Sequence, residues 1–92
     1  MEIKWLRRAL RNLEQVHRFI AKENLEAARD VILRIQTATT QLENYPFMGR
    51  PGQVEGTREL VISGIPYIVI YRVKNESVEI LRVLHTSRRY PE

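Results

Sequence analysis

The sequence predicts an α+β fold in which an N-terminal antiparallel pair of helices packs on a small antiparallel sheet. Apolar residues recur at helical spacing through the first half of the chain, whereas the second half contains three runs rich in Val, Ile and Tyr. Helices covering one side of such a sheet give a two-layer sandwich. With 92 residues, the chain is expected to form a single domain, residues 1–92, with the element order β-α-α-β-β-β.

The first half is predicted to contain a short strand, Glu2–Trp5, followed by a helical hairpin. The apolar stripe of the first helix consists of Leu6, Ala9, Leu10, Leu13, Val16 and Ile20. The stripe of the second helix consists of Leu25, Ala28, Val31, Ile32, Ile35, Ala38 and Leu42. The connector Lys22–Asn24 is short, so the two helices should fold back antiparallel. Asn24 is the expected N-cap of the second helix.

The second half is predicted to form an antiparallel meander of three strands, Thr57–Ile62, Tyr67–Val73 and Ser77–His85. The polar segment Lys74–Glu76 supplies the turn of the last hairpin. The run Ile65–Val73 is almost continuously apolar, which indicates that the middle strand is covered on both faces.

The composition excludes several classes of protein. The chain has no cysteine, which excludes a disulfide framework and thiolate metal sites and fits a reducing compartment. No apolar run reaches transmembrane length, so no membrane partner is expected. The segment Met1–Trp5 lacks the layout of a signal peptide, which predicts a cytoplasmic protein.

Positive charge is concentrated near the C-terminus. The formal net charge is +4, from 15 Lys and Arg against 11 Asp and Glu. The segment Ile80–Pro91 contains no acidic residue, and Arg88 and Arg89 lie within it. A local positive field suits an anionic partner, although a solvated tail is the alternative interpretation.

Metal-dependent and covalent mechanisms find no support in the sequence. No histidine pair or carboxylate cluster has metal-ligand spacing, and the glycines form no phosphate-binding loop, so neither a metal nor a cofactor is expected. His17 is predicted to be a surface residue of the first helix. His85 ends the last strand, where it is a candidate for acid–base chemistry. Its alternative role is a structural hydrogen bond to a backbone carbonyl.

A metal-free nuclease remains possible on these residues. It would use cations to neutralise a phosphorane and a side chain to accept a proton. The candidate cations are Arg58, Arg72, Arg82 and Arg88, and the candidate proton carriers are His85 and Tyr90. Strict strand alternation, however, places Arg82 and His85 on opposite faces unless a bulge intervenes, which weakens a shared catalytic centre.

Four segments in order resemble the RelE/ParE superfamily of bacterial toxins. They are Tyr45–Gly52 (YPFMGRPG), Thr57–Leu60 (TREL), Pro66–Arg72 (PYIVIYR) and Ile80–Arg88 (ILRVLHTSR). The resemblance covers nearly the whole chain. It implies a small microbial-ribonuclease-like fold and the toxin half of a type II toxin–antitoxin pair, neutralised by a cognate antitoxin protein.

The resemblance also implies one of two targets. RelE-like members cut messenger RNA on the ribosome and usually carry arginine directly after the tyrosine of the middle strand, where this chain has Ile68. That departure favours the ParE-like branch, which inhibits DNA gyrase by binding. The residues expected to contact the target are Arg82, His85, Arg88, Arg89 and Tyr90.

Two alternatives stay open. The first is a ribosome-dependent endoribonuclease that uses Arg58, Arg82 and His85, since some nuclease relatives place a histidine near this strand end. The second is a non-toxic module that binds the antitoxin and acts only in promoter regulation.

Overall fold

The computed structural model describes residues 1–91, which form two helices packed on a five-stranded sheet. The elements are β1 (Glu2–Trp5), α1 (Arg7–Ala21), α2 (Leu25–Thr40), β2 (Arg50–Pro51), β3 (Arg58–Val61), β4 (Tyr67–Lys74) and β5 (Ser77–His85). A single 3₁₀ turn, Gln41–Glu43, extends α2. The strand order across the sheet is β1-β5-β4-β3-β2. The predicted α+β fold, with its helical hairpin and its meander of β3, β4 and β5, is confirmed.

The sheet is mixed, whereas the sequence predicts a wholly antiparallel one. Strand β1 runs parallel to β5, with Trp5 opposite Ile80, because the chain returns to it only after the hairpin and the meander. Strand β2 pairs with β3 and is absent from the predicted element order. It is only two residues long and lies in a turn-rich loop, so no alternating pattern marks it.

Local sequence determines where the hairpins turn. The side chain of Asn24 caps α2 as predicted, since its Oδ1 accepts a hydrogen bond from the Ala27 N–H at 2.9 Å. Between β4 and β5, Asn75 and Glu76 both have positive φ, 52° and 59°. Positive φ at both central residues is the requirement of a two-residue type I′ turn, whose twist matches that of the flanking strands.

The main core lies between the helices and the inner face of the sheet. Its buried members are Ala9, Val16, Ile35, Leu42, Leu60, Ile62, Tyr67, Val69, Tyr71, Val78, Ile80 and Val83. A second, outer cluster lies on the opposite face, with Ile68, Ile70 and Leu84 buried and Leu81 and Tyr90 partly buried against them. Every residue from Tyr67 to Tyr71 is therefore buried, which confirms that the middle strand is covered on both faces.

The Tyr71 hydroxyl anchors the loop that precedes β2. It accepts a hydrogen bond from the Gly49 N–H at 2.9 Å in a buried setting. A Cβ atom at Gly49 would lie 2.7 Å from the same hydroxyl and 2.9 Å from the Glu59 carbonyl oxygen, so only glycine fits there. Burial raises the pKa of Tyr71, although the Gly49 hydrogen bond and the nearby Arg58 act in the opposite direction. The hydroxyl is therefore a neutral structural group.

No helix within residues 1–91 combines the length and the apolar character that crossing a membrane requires.

We expect Tyr71→Phe to lower the free energy of unfolding by about 1–3 kcal/mol, because the buried Gly49 N–H loses its acceptor. Urea denaturation measures the difference. The matched control is Tyr45→Phe, which removes a hydroxyl from a side chain that is 66% exposed. Equal stability of the two variants would contradict the anchoring role of Tyr71.

Candidate functional site

Strand β5 contains a β-bulge at Leu81. Tyr71 pairs with Ile80, and the preceding residue Ile70 pairs with Arg82, so Leu81 has no partner on β4. An extra residue in one strand shifts the alternation of every side chain beyond it to the other face. The bulge therefore decides which residues near the end of β5 face the helices.

The bulge precedes both Arg82 and His85, so it changes which face each strand position takes but not the alternation between the two: Arg82 pairs with Ile70 of the outer cluster and His85 with Tyr67 of the main core. Beyond the bulge, Val83 packs in the main core and Leu84 packs in the outer cluster. His85 accordingly lies on the helix side, where its ring meets the Tyr67 ring edge-on with 5.4 Å between centroids. Arg82 also reaches the helix side, but it is buried whereas His85 is exposed, so the two do not form a common centre open to a ligand.

A buried junction formed by Asn12, Arg82 and Val83 joins α1 to β5. The Asn12 Oδ1 accepts hydrogen bonds from the Arg82 Nε at 2.9 Å and from the Val83 backbone N–H at 3.1 Å. Strand β1 pairs with β5 only as far as Ile80, whose carbonyl accepts a bond from the Leu6 N–H. The Asn12 side chain thus takes the place of a strand neighbour for Val83, and we name this contact the Asn12 junction.

Sequence reasoning missed Asn12, although the sequence contains a signal. Its position falls on the buried stripe of α1 between Ala9 and Val16, where an apolar residue is the norm. A polar residue on a buried stripe requires a buried partner. Arg82 is that partner. It was predicted to bind the target, but it is only 7% exposed and donates its hydrogen bond to Asn12 within the protein.

His85 is exposed and is oriented by the turn that follows β5. Its Nδ1 accepts a hydrogen bond from the Ser87 N–H at 3.1 Å and lies 2.9 Å from the Ser87 Oγ. Because Nδ1 is an acceptor, we assign the proton of the neutral ring to Nε2. The ring of His85 therefore bonds to Ser87, not to a backbone carbonyl as in the alternative role given above.

Two further candidate cations are engaged in structural contacts. Arg58 donates to the carbonyl oxygens of Gly49 at 2.7 Å and Phe47 at 3.2 Å, and its guanidinium lies over the Phe47 ring. Arg72 pairs across the strands with Glu79, with 2.6 Å between Nε and Oε1. This hydrogen bond holds the pKa of Glu79 below its ordinary value. Neither arginine approaches the end of β5 as a free phosphate ligand.

An inner groove of about 280 Å³ opens between α1 and the end of β5. Its walls include Asn12, Val16, Phe19, Tyr67, His85 and Arg88. The apolar side chains dominate its floor, and Phe19 is 69% exposed at its edge. His85 and Arg88 supply the polar rim, so the groove combines an apolar contact area with groups that can meet an anion.

An outer groove of about 310 Å³ lies on the other side of the sheet. Arg50, Glu59, Ile68, Arg88, Arg89 and Tyr90 contribute to its lining. Arg50 pairs with Glu59 at 2.9 Å. Tyr90 packs half-buried against the outer cluster, so the tail folds back over the sheet. Arg88 lines both grooves, which places it at the edge where the two faces of the sheet meet.

Within residues 1–91, no group of three or more His, Asp or Glu side chains is placed to hold a metal ion. The chemistry available at this end of the sheet is that of guanidinium groups, one imidazole and aromatic rings.

Comparison with known proteins identifies the family. Residues 3–90 match the family described as the ParE toxin of the type II toxin–antitoxin system parDE. The chain belongs to the ParE toxin family. It is the toxin of a type II toxin–antitoxin system, and the module implies an antitoxin partner.

Three relatives of this ParE-family toxin illustrate its range. It is 46% identical over 90 residues to Y4kP of Sinorhizobium fredii, covering 98% of this chain and 93% of that protein. It is 34% identical over 87 residues to Toxin RelE2 of Caulobacter vibrioides, covering 95% and 97% of the two chains. A solved structure of the chromosomal ParDE TA system from P. aeruginosa superposes with a TM-score of 0.83 at 27% identity, covering 92% and 95%.

The ParE-family toxin therefore places four of its predicted contact residues, His85, Arg88, Arg89 and Tyr90, around one end of the sheet. The fifth, Arg82, lies behind them in the Asn12 junction and positions the strand that carries them.

We expect Asn12→Ala to destabilise the toxin by about 2–4 kcal/mol, because two buried donors lose one shared acceptor. Asn12→Asp should retain most of that stability, since a carboxylate oxygen accepts both bonds. Urea denaturation measures both variants, with Gln15→Ala as the control at an exposed position on the same helix. If Asn12→Ala is no less stable than Gln15→Ala, the junction does not hold the strand.

Proposed function

We propose that this toxin inhibits DNA gyrase by binding it, and that Arg88 and Arg89, supported by His85 and Tyr90, make the contact. The carrying observation is the residue after Tyr67. A ribosome-dependent nuclease of the superfamily usually has arginine there, whereas Ile68 of this toxin is 6% exposed in the outer cluster. An apolar side chain buried at that place supplies no charge to a phosphorane.

The engagement of the other candidate cations supports the same proposal. Arg58 is bound to the carbonyls of Phe47 and Gly49, and Arg82 is bound to Asn12. A nuclease would have to break these contacts to bring either guanidinium to a scissile phosphate. Arg88 and Arg89 are exposed on the surface, and arginine and tyrosine are frequent energetic centres of protein interfaces.

A ribosome-dependent endoribonuclease is the second candidate, and one observation favours it. The exposed His85 and Arg88 line the same inner groove, so a proton carrier and a cation are neighbours there. The 34% identity to Toxin RelE2 of Caulobacter vibrioides gives this candidate further support. The two candidates predict different effects of a His85 substitution, because His85 would be essential to cleavage but only one of several contacts in a binding interface.

We expect the purified toxin to block gyrase supercoiling and to raise the amount of cleaved DNA complex. Arg88→Gln/Arg89→Gln should require at least about tenfold more toxin for half-maximal inhibition, which corresponds to about 1.4 kcal/mol of binding. The matched control, Lys4→Gln/Lys74→Gln, removes two exposed charges from the opposite part of the sheet and should inhibit as wild type does. A thermal melt of each variant shows whether the fold is retained.

A ribosome assay runs in parallel on the same proteins. Normal supercoiling together with cleavage of ribosome-bound message, abolished by His85→Gln, would contradict the gyrase proposal and establish the nuclease. Normal growth on induction without antitoxin would contradict both and favour a role confined to promoter regulation.

We further propose that the antitoxin covers a lateral groove between α2 and β3. This groove of about 570 Å³ is lined by Leu33, Met48, Leu60 and Val61 among others. Leu33, Met48 and Val61 are 61%, 48% and 53% exposed, which makes this an unusually apolar piece of surface. A bound partner that buries these side chains stabilises the native toxin by mass action.

We expect a saturating amount of antitoxin to raise the melting temperature of the toxin, and Leu33→Asp to weaken that complex at least about tenfold because it buries a charge in an apolar contact. Titration calorimetry measures the affinity. Leu25→Asp is the matched control, since Leu25 is also exposed on α2 but lies outside the lateral groove. Equal affinities of the two variants would place the antitoxin elsewhere.

A further inference from the structure

Helix α1 carries a row of cations on its solvent face. At 3.6 residues per turn, Arg7, Arg11, Arg18 and Lys22 fall within about 60° of one another, directly opposite the buried stripe, and Arg8 lies about 40° farther round. All five are exposed. Within the described part of the chain, none of them forms an ion pair. We name this row the α1 cationic stripe.

The N-terminal end of the α1 cationic stripe is arranged against the stability of its own helix, whereas Arg18 lies in the last turn, where the dipole favours positive charge. The first turn contains Arg7 and Arg8 and no acidic residue, although the helix dipole favours negative charge there. Arg7 and Arg11, and likewise Arg18 and Lys22, are like charges four residues apart, which repel. A face selected only for solubility would more readily mix the two signs. The arrangement favours an external polyanion as the compensating charge.

The dimensions of the stripe match a nucleic-acid backbone. From Arg7 to Lys22 the helix rises about 22 Å. Each strand of a DNA duplex carries one phosphate per 3.4 Å of duplex axis, so this length matches the axial span of about six phosphates. Four of the five cations are arginines, whose planar forks match phosphate geometry. The N-terminus of α1, where Leu6 offers no side-chain cap, adds its partial positive charge at one end of the row.

The residues between the cations favour a phosphate backbone over a protein partner. Gln15 lies between the cations and Glu14 lies about 20° beyond Arg7, whereas the exposed Phe19 lies at the margin, about 20° beyond Arg8, so no apolar or aromatic side chain lies at the centre of the stripe. Protein interfaces depend on such centres, whereas binding to phosphates depends on charge alone.

We propose that the α1 cationic stripe binds the phosphate backbone of duplex DNA without sequence preference. The choice of DNA over duplex RNA rests on the proposed gyrase function, in which the toxin acts where DNA is held. The contact itself does not require gyrase, so it is measured on the toxin alone, and its failure leaves the supercoiling result standing.

The test is fluorescence anisotropy of a labelled DNA duplex of mixed sequence, titrated with toxin at several salt concentrations. Wild type should bind with a Kd of about 10⁻⁴ to 10⁻⁶ M and a slope of log K on log salt of about −4. Arg7→Gln/Arg11→Gln/Arg18→Gln should lose at least about tenfold in affinity, with a slope smaller in magnitude by about 3. Its melting temperature should not fall, since Gln and Arg have similar helix propensity.

The matched control removes three exposed charges elsewhere, as Lys4→Gln/Arg29→Gln/Lys74→Gln, and should change the affinity less than about threefold. Equal losses of DNA affinity in both triple variants would show that binding depends only on net charge and would overturn the proposal. Tighter binding of an RNA duplex of the same sequence would also overturn it. Absence of DNA binding by wild type would overturn it as well. If a stripe variant then binds the antitoxin more weakly, the stripe serves an acidic protein instead.

Discussion

The side-chain oxygen of Asn12 receives two hydrogen bonds at the place where β5 loses its neighbour. Strand β1 ends opposite Ile80, and β5 continues for five more residues with only β4 beside it. An unpaired N–H and a buried guanidinium in that stretch would each carry a large desolvation penalty. Asn12 satisfies both from α1, although this end of β5 has a neighbouring strand on one side only.

The bulge at Leu81 lies directly before the residues that Asn12 contacts. It shifts the side chains beyond it, so that Val83 enters the main core and His85 faces α1. The tail then turns and lays Tyr90 on the outer cluster, which closes the second face of the sheet. Apolar residues on both faces of β4 are thereby covered in a chain of only 92 residues. Arg88 and Arg89 thus lie between two packed segments, the end of β5 and Tyr90.

Two groups of cationic residues in this toxin have different physical roles. Arg58, Arg72 and Arg82 form part of the structure through carbonyl, carboxylate and amide oxygens. Arg88, Arg89 and the α1 cationic stripe lie on the surface at two separate places. A protein that needs charges for chemistry concentrates them around one reacting atom. Here the surface charges are spread over separate parts of the molecule instead.

Much of the fold follows from periodicity, because helical stripes, the Asn24 cap and the apolar run of β4 are local properties of the sequence. The parallel pairing of β1 and the bulge at Leu81 are not local. Both depend on which segment lies beside β5, and one extra residue in a strand leaves no mark on an apolar–polar pattern. The candidate site is affected as well, since the bulge decides that Val83 and His85, rather than Leu84, face the helices. From the sequence, the burial of Arg82 can be inferred only through Asn12, because a polar residue on the buried stripe of α1 requires a buried partner.

Native-state amide hydrogen exchange at Val83 tests the Asn12 junction most directly. We predict that the Val83 amide exchanges as slowly as the amides of the central strand β4, although its N–H points to the edge of β5 that has no neighbouring strand there. In Asn12→Ala its protection should fall selectively while β4 stays protected. Fast exchange of the Val83 amide in the wild-type toxin, at the rate of an open sheet edge, would contradict the claim that Asn12 holds the end of β5.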